Sequence, residues 1–226
     1  MEKLRQNFVE INQRIKQAAL RSGRNPADIK LLAVSKTVDP ETVLQAYQLG
    51  INDFGENRTQ QLNIKQSSLP EARWHLIGHL QTNKIKDVFG KTYLIHSLDR
   101  WKLAEEINKT GLAMNIETDV LLQVNISGEE QKYGLAPDEV RSFLAAVGQL
   151  EMVKIKGFMT MAPLDAKPGE ARNIFRELRN IRQEMLKQAF EHCDLKYLSM
   201  GMSQDFEVAI EEGANIVRIG SSLFNT

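Results

Sequence analysis

Leu31-Leu32-Ala33-Val34-Ser35-Lys36 is the stretch on which the reading of the fold turns. Four apolar residues followed by a single serine suit a strand buried on both faces. Such strands belong to parallel sheets covered by helices. A lysine at the carboxyl end brings its ammonium to the rim of the fold. Two readings of Lys36 are open at this point. Its stem can snorkel out of the strand end and leave the charge in solvent. Alternatively the ammonium is buried, its pKa falls, and the neutral amine becomes a nucleophile for carbonyls.

Outward from this strand the chain alternates. Upstream, Leu4, Phe8, Ile11, Ile15 and Ala18 or Ala19 recur at helical spacing, which predicts an amphipathic helix over residues 3–22 ended by Gly23. Downstream, Asp39 as N-cap and Pro40 at the first helical position open a second helix that stops at Gly50. Strands are expected at 51–54, 74–77, 92–96, 120–125, 154–158, 197–200 and 216–219. Between them lie helices to about residue 66, then at 82–88, 98–109, 137–150, 168–190 and 204–212. With the strand at 30–35 this makes eight strand–helix units, the last followed only by Ser221-Ser222-Leu223-Phe224. The pattern predicts an α/β (β/α)8 barrel of TIM type in one domain, 1–226, with an extra N-terminal helix (1–23) before the barrel (30–226). A doubly wound open sheet is the alternative, but no Gly-x-Gly-x-x-Gly follows the first strand.

Composition narrows the function. Basic and acidic residues number 29 each, so no net field points to nucleic acid or a membrane surface. The one cysteine, Cys193, excludes an internal disulfide framework and reads as an idle thiol near a helix end. Met1 to Leu20 lacks the apolar segment of a signal peptide, and no stretch approaches a membrane span. A cytoplasmic protein is expected.

Barrels place their sites at the carboxyl ends of the strands. Those positions hold Lys36, Gly55-Glu56-Asn57, Gly78-His79, Asn125, Met159-Thr160-Met161, Ser199-Met200-Gly201-Met202-Ser203 and Arg218-Ile219-Gly220-Ser221-Ser222. The last two segments suit a phosphate cradle: glycines let the backbone approach an anion, and serines supply hydroxyls. Arg218 lies between Val217 and Ile219, so an inward guanidinium needs a ligand or a carboxylate such as Glu56 or Asp205. A cradle, an arginine and a lysine on another strand end are what pyridoxal phosphate (PLP) requires.

The segments Leu31–Thr37, Phe54-Gly-Glu-Asn57, Trp74-His-Leu-Ile-Gly-His-Leu-Gln-Thr-Asn-Lys84, Gly157-Phe-Met-Thr-Met161, Leu198-Ser-Met-Gly-Met-Ser203 and Val217-Arg-Ile-Gly-Ser221 resemble the pyridoxal phosphate homeostasis protein family. They come in family order over nearly the whole chain. The resemblance implies a barrel like the N-terminal barrel of alanine racemase, with PLP held as an aldimine on Lys36. It implies cofactor contacts from Lys36, Asn57, Met161, Ser199, Ser203, Arg218, Gly220 and Ser221, with Asn57 near the ring and Ser203, Gly220 and Ser221 on the phosphate. Arg218 facing the pyridine nitrogen would disfavour its protonation and weaken carbanion chemistry.

These expectations favour a PLP carrier or buffer without robust turnover, cytoplasmic, monomeric or weakly dimeric, delivering cofactor to PLP-dependent apo-enzymes. The alternative is an amino-acid racemase, for which Tyr133 in the Ser127–Gly134 loop is the tyrosine to watch. A cofactor-free Schiff-base aldolase is a third reading. Lys84 and Lys132 near the mouth are candidates for transient acceptance of the aldehyde. Trp74 and Trp101 read as core or interface residues, and His75 and His79 do not have the helical placement of a metal pair. No metal, nucleic-acid or membrane partner is expected.

Overall fold

A computed structural model describes residues 1–129, 131–163 and 165–225, leaving aside the side chain of Pro168. Eight parallel strands close into a barrel in sequential order. They are β1 (Lys30–Val34), β2 (Asp53–Glu56), β3 (Arg73–Leu76), β4 (Leu94–Leu98), β5 (Thr118–Gln123), β6 (Val153–Met159), β7 (Cys193–Ser199) and β8 (Ile216–Ile219). β8 returns to pair with β1, Leu31 opposite Val217 and Ala33 opposite Ile219, so the sheet has no free edge. The open-sheet alternative is thereby excluded.

The helices are α1 (Glu2–Arg21), α2 (Pro40–Gln48), α3 (Thr59–Ser68), α4 (Ile85–Val88), α5 (Trp101–Met114), α6 (Val140–Val147), α7 (Pro168–Met185), α8 (Phe206–Glu211) and α9 (Ser221–Phe224). α1 is the expected extra helix. It buries Leu4, Ile11, Ile15, Ala18 and Ala19 and is tied to α8 by Arg14 and Arg21 on Glu207. Asp39 caps α2 by accepting from Thr42 N–H at 2.8 Å.

Several boundaries move. β4 starts two residues later than expected because Thr92 closes the turn after α4, its N–H and hydroxyl both donating to Val88 O. α7 ends at Met185, not 190, and β7 begins at Cys193, not 197. The first half of β7 alternates exposed Asp194 and Lys196 with Leu195, which hides it among charged residues. Cys193 therefore opens a strand instead of ending a helix, and burial pushes its thiol up to about 11. Thr82–Val88 divides into a 3₁₀ turn and the short α4.

Two cores result. The larger lies between sheet and helices and includes Trp74, whose Nε1–H donates to Leu69 O at 2.9 Å. The smaller fills the barrel with Leu32, Leu94, Leu121, Met159, Tyr197 and Ile216. The barrel interior also holds polar side chains, and these lead to the site.

Candidate functional site at the carboxyl end of the barrel

The strand ends surround a hollow of about 400 Å³. Lys36 enters it from β1, Asn57 from β2 and Met161 from β6. Ser203 follows β7, Arg218 projects from β8, and Gly220 and Ser221 complete the rim. Ser199 is the expected residue missing from this lining. It is fully buried and stands behind Arg218.

Local chain geometry explains the assembly. A Cβ on Gly78 would fall 2.2 Å from Asn57 O, so the turn after β3 can press against Asn57 only as glycine. Gly201 has φ +91°, and a Cβ there would come within 2.9 Å of Phe206 Cα. The Asp205 carboxylate accepts from Met202 N–H at 2.5 Å and folds the following turn. Ser221 Oγ donates to Ser203 Oγ at 3.1 Å, and Ser222 N–H approaches the same oxygen at 3.4 Å. Ser203 thus accepts from α9 and keeps its own proton for another partner. Ser222 Oγ is buried with no partner among the described residues.

Lys36 itself is exposed. Of the two readings, the one with a buried ammonium is corrected: α2 begins four residues on and leaves the strand end open to the hollow.

Arg218 is 4% exposed and faces the hollow. Neither Glu56 nor Asp205 pairs with it, and no salt bridge to it forms among the described residues. Nη1 donates to Ser199 O at 2.7 Å and Ser199 Oγ at 2.8 Å, and Nη2 to Thr160 O at 2.9 Å. Burial lowers its pKa to about 10, which leaves the guanidinium charged at neutral pH.

Behind it runs a chain that the sequence did not reveal. Ser199 Oγ lies 2.9 Å from His96 Nδ1, His96 Nε2 2.9 Å from His75 Nδ1, and His75 Nε2 3.1 Å from Asp53 Oδ1. The two ends fix its direction. An arginine only donates and a carboxylate only accepts. Ser199 therefore passes its proton toward His96 Nδ1, and each ring carries its hydrogen on Nε2. Both histidines are neutral, in keeping with burial, which lowers His75 and holds His96 well below its ordinary value. Burial raises the Asp53 carboxyl, but hydrogen bonds from Arg73 and His75 outweigh that and hold it well below the usual range.

A second buried cluster lies on the outer side of β1 and β2. Lys65 Nζ donates at 2.6 Å to both Ser35 O and Glu56 Oε1, and Ser35 Oγ donates to Glu56 Oε1 at 2.7 Å. It ties together the residues just before Lys36 and Asn57.

At the mouth His79 Nδ1 lies 2.9 Å from Asp99 Oδ2, and its ring stacks on Tyr133 with centroids 3.9 Å apart. Lys84 lines a smaller adjoining hollow, and Lys132 pairs with Glu129. No group of three or more potential metal ligands occurs among the described residues.

A closed barrel with a lysine at the end of its first strand defines a class, and the family model described as alanine racemase, N-terminal domain, matches residues 2–226. The pyridoxal phosphate homeostasis protein of Aquifex aeolicus is 47% identical over 214 residues, covering 94% of this chain and 93% of its own. That of Pseudomonas aeruginosa is 38% identical over 226 residues, covering 99% and 96%. PipY of Synechococcus elongatus, solved with PLP bound, superposes with a TM-score of 0.82 at 36% identity, covering 95% of this chain and 100% of its own. The chain belongs to the pyridoxal phosphate homeostasis protein family.

Proposed function

We propose that this protein binds PLP reversibly through Lys36 and serves as a carrier or buffer of the cofactor, not as a robust catalyst. The observation that carries the reading is that Lys36, the Ser203–Ser221 pair and an Arg218 without an ion-pair partner open into one hollow. When bound, PLP supplies an aldehyde for a primary amine and an electron-withdrawing ring.

The residues present fit that group. Lys36 is the exposed amine at the strand end. Ser203 keeps its proton for a phosphate, Ser221 can offer its own only by turning away from Ser203, the hydroxyl of Ser222 is orphaned beside them, and bare Gly220 lets the backbone approach. Asn57 and Met161 flank the ring's space, while Ser199 acts through Arg218. Arg218 presents a cation with no carboxylate in ion-pair contact, Asp205 acting on it only from a longer distance, and it can only donate. It opposes a proton on a ring nitrogen facing it, which argues against strong carbanion stabilisation. PLP bound to PipY, a relative of similar length, supports the same use of this barrel.

The wider role follows from the reading: a cytoplasmic, monomeric or weakly dimeric protein that limits free aldehyde and passes PLP to apo-enzymes. No helix among the described residues is long and apolar enough to cross a membrane.

The test is the visible spectrum of the purified protein beside Lys36→Ala, with borohydride trapping and peptide mapping. We expect a PLP band in the parent, its loss in the variant and label on Lys36. A parent that stays colourless with added PLP defeats the proposal. Lys36-dependent racemisation of amino acids well above free PLP would replace the carrier with a racemase.

A further inference from the structure

The exposed Lys36 raises a chemical question that its neighbours answer. A primary amine attacks a carbonyl only after losing its proton, and Lys36 stands exposed at the strand end. A base lining the same hollow would take that proton.

His79 is built for that task. Its Nδ1 lies 2.9 Å from an oxygen of Asp99, whose side chain is 3% exposed. A carboxylate accepts, so Nδ1 carries the ring proton and Nε2 keeps its lone pair. Asp99 is itself paired with Arg100, whose other nitrogen donates to Leu80 O at 2.9 Å. Tyr133 stacks on the ring at 20° and fixes its plane. Among the described residues Nε2 has no partner, and the side chain is 24% exposed at the wall of the hollow that holds Lys36. His75 and His96 differ in every respect: fully buried, both nitrogens bonded, the proton on the other nitrogen.

We propose that His79, oriented by Asp99, is the proton-transfer residue for attachment and release of the aldehyde at Lys36; this rests on the PLP reading above. Nε2 takes a proton from Lys36 Nζ, and the freed lone pair forms the bond to the carbonyl carbon. The carbonyl oxygen collects two of the three ammonium protons, at least one by way of Nε2, and leaves as water while the carbon–nitrogen double bond forms. Nothing is oxidised or reduced. Release reverses each step, with water as the nucleophile and Nε2 taking its proton. Asp99 and the Tyr133 ring are the direct contacts of His79; the walls of the two hollows it touches also carry Lys36, Asp205, Arg58 and Lys84, and Arg100 lies behind Asp99.

A proton-transfer catalyst speeds both directions equally, whereas a binding residue shifts the equilibrium. Ligand-free parent, His79→Gln and Asp99→Asn are mixed with PLP in a stopped-flow spectrometer, and release is followed into a trap. In His79→Gln both rates fall together by about tenfold or more, Kd holds, and imidazole in the buffer restores part of the rate. Nuclear magnetic resonance of the ligand-free protein should show the neutral His79 ring with its hydrogen on Nδ1. Asp99→Asn lowers both rates and disturbs that tautomer; should it fail to fold, the imidazole rescue of His79→Gln decides. Unchanged rates, or a raised Kd with faster release, overturn the proposal. A parent that takes up no PLP overturns the PLP reading first, so the two failures are distinct.

Discussion

Lys65 and Arg218 are both buried cations, 2% and 4% exposed, yet the protein treats them differently. Lys65 sits between helix α3 and the barrel and meets the carboxylate of Glu56 at 2.6 Å. Arg218 sits inside the barrel and meets two carbonyls and a hydroxyl. The first charge is spent within the fold. The second is oriented without an ion-pair partner, Asp205 acting on it only from a longer distance, so much of its field remains for whatever occupies the hollow. Burying a charge without a counter-ion is costly, and proteins retain such arrangements where a ligand completes them. The comparison separates a clamp, which steadies the strand ends before Lys36 and Asn57, from a presented cation.

The largest effect that would break this comparison comes from the clamp. Lys65→Met leaves the Glu56 carboxylate buried without its counter-ion, held only by the Ser35 hydroxyl, and unfolding in denaturant should show a loss of about 3–5 kcal/mol. Replacing Glu56 as well, by leucine, should recover much of it, since no unpaired charge then remains. Arg218→Met removes a charge that had no ion-pair partner and takes a donor only from neutral acceptors, of which Ser199 O keeps Thr160 N–H. Its cost should be smaller, about 1–3 kcal/mol, while PLP affinity falls clearly. Equal losses at the two sites with unchanged affinity would erase the distinction.

Acid probes the chain behind Arg218. His75 and His96 have depressed values in the fold, chiefly through burial, against about 6.5 when unfolded. The unfolded chain therefore takes up protons first as pH drops. Their contribution is complete above about pH 6.5 and is lost below it, at up to about 2.7 kcal/mol per pH unit for two rings. Asp53, also depressed, adds a further loss below the ordinary carboxylate range. Chemical denaturation between pH 7 and 5 should show a fall that His96→Phe reduces. A flat profile in the parent would mean that the histidines are not held neutral.

The clamp and the presented cation were not equally legible. Lys36, Gly220 and Ser221 stood out because strand ends in an alternating βα chain are known positions once a barrel is inferred. Arg218 stood out because a charge between Val217 and Ile219 demands a reason. Lys65 did not: α3 is mostly polar, with only Leu62 and Ile64 apolar, and Lys65's partners lie 9 and 30 residues away in sequence. Nor did the Asp53–His75–His96–Ser199 chain, which spans β2, β3, β4 and β7. Its members converge only after closure of the barrel, and no local spacing encodes that. His75 drew notice as a neighbour of His79, yet the two point to different regions: one into the barrel's polar spine, the other to its mouth.

The smallest expected effect is the sharpest test of that spine. Ser199→Ala removes one hydroxyl, and Arg218 keeps both carbonyls, so stability should fall by only about 1 kcal/mol. The ring tautomers should not change. Were His96 to move its hydrogen to Nδ1, its Nε2 would need a donor from His75, and His75 Nε2 would then face the Asp53 carboxylate as a second acceptor. Asp53 alone thus maintains the direction of the chain after the hydroxyl is gone. Nitrogen-15 spectra of labelled histidines should show Nε2–H on both buried rings in parent and variant. An Nδ1–H tautomer on either buried ring in the parent would reverse the chain, and Ser199 could not then accept from Arg218 and donate to His96 as the geometry requires.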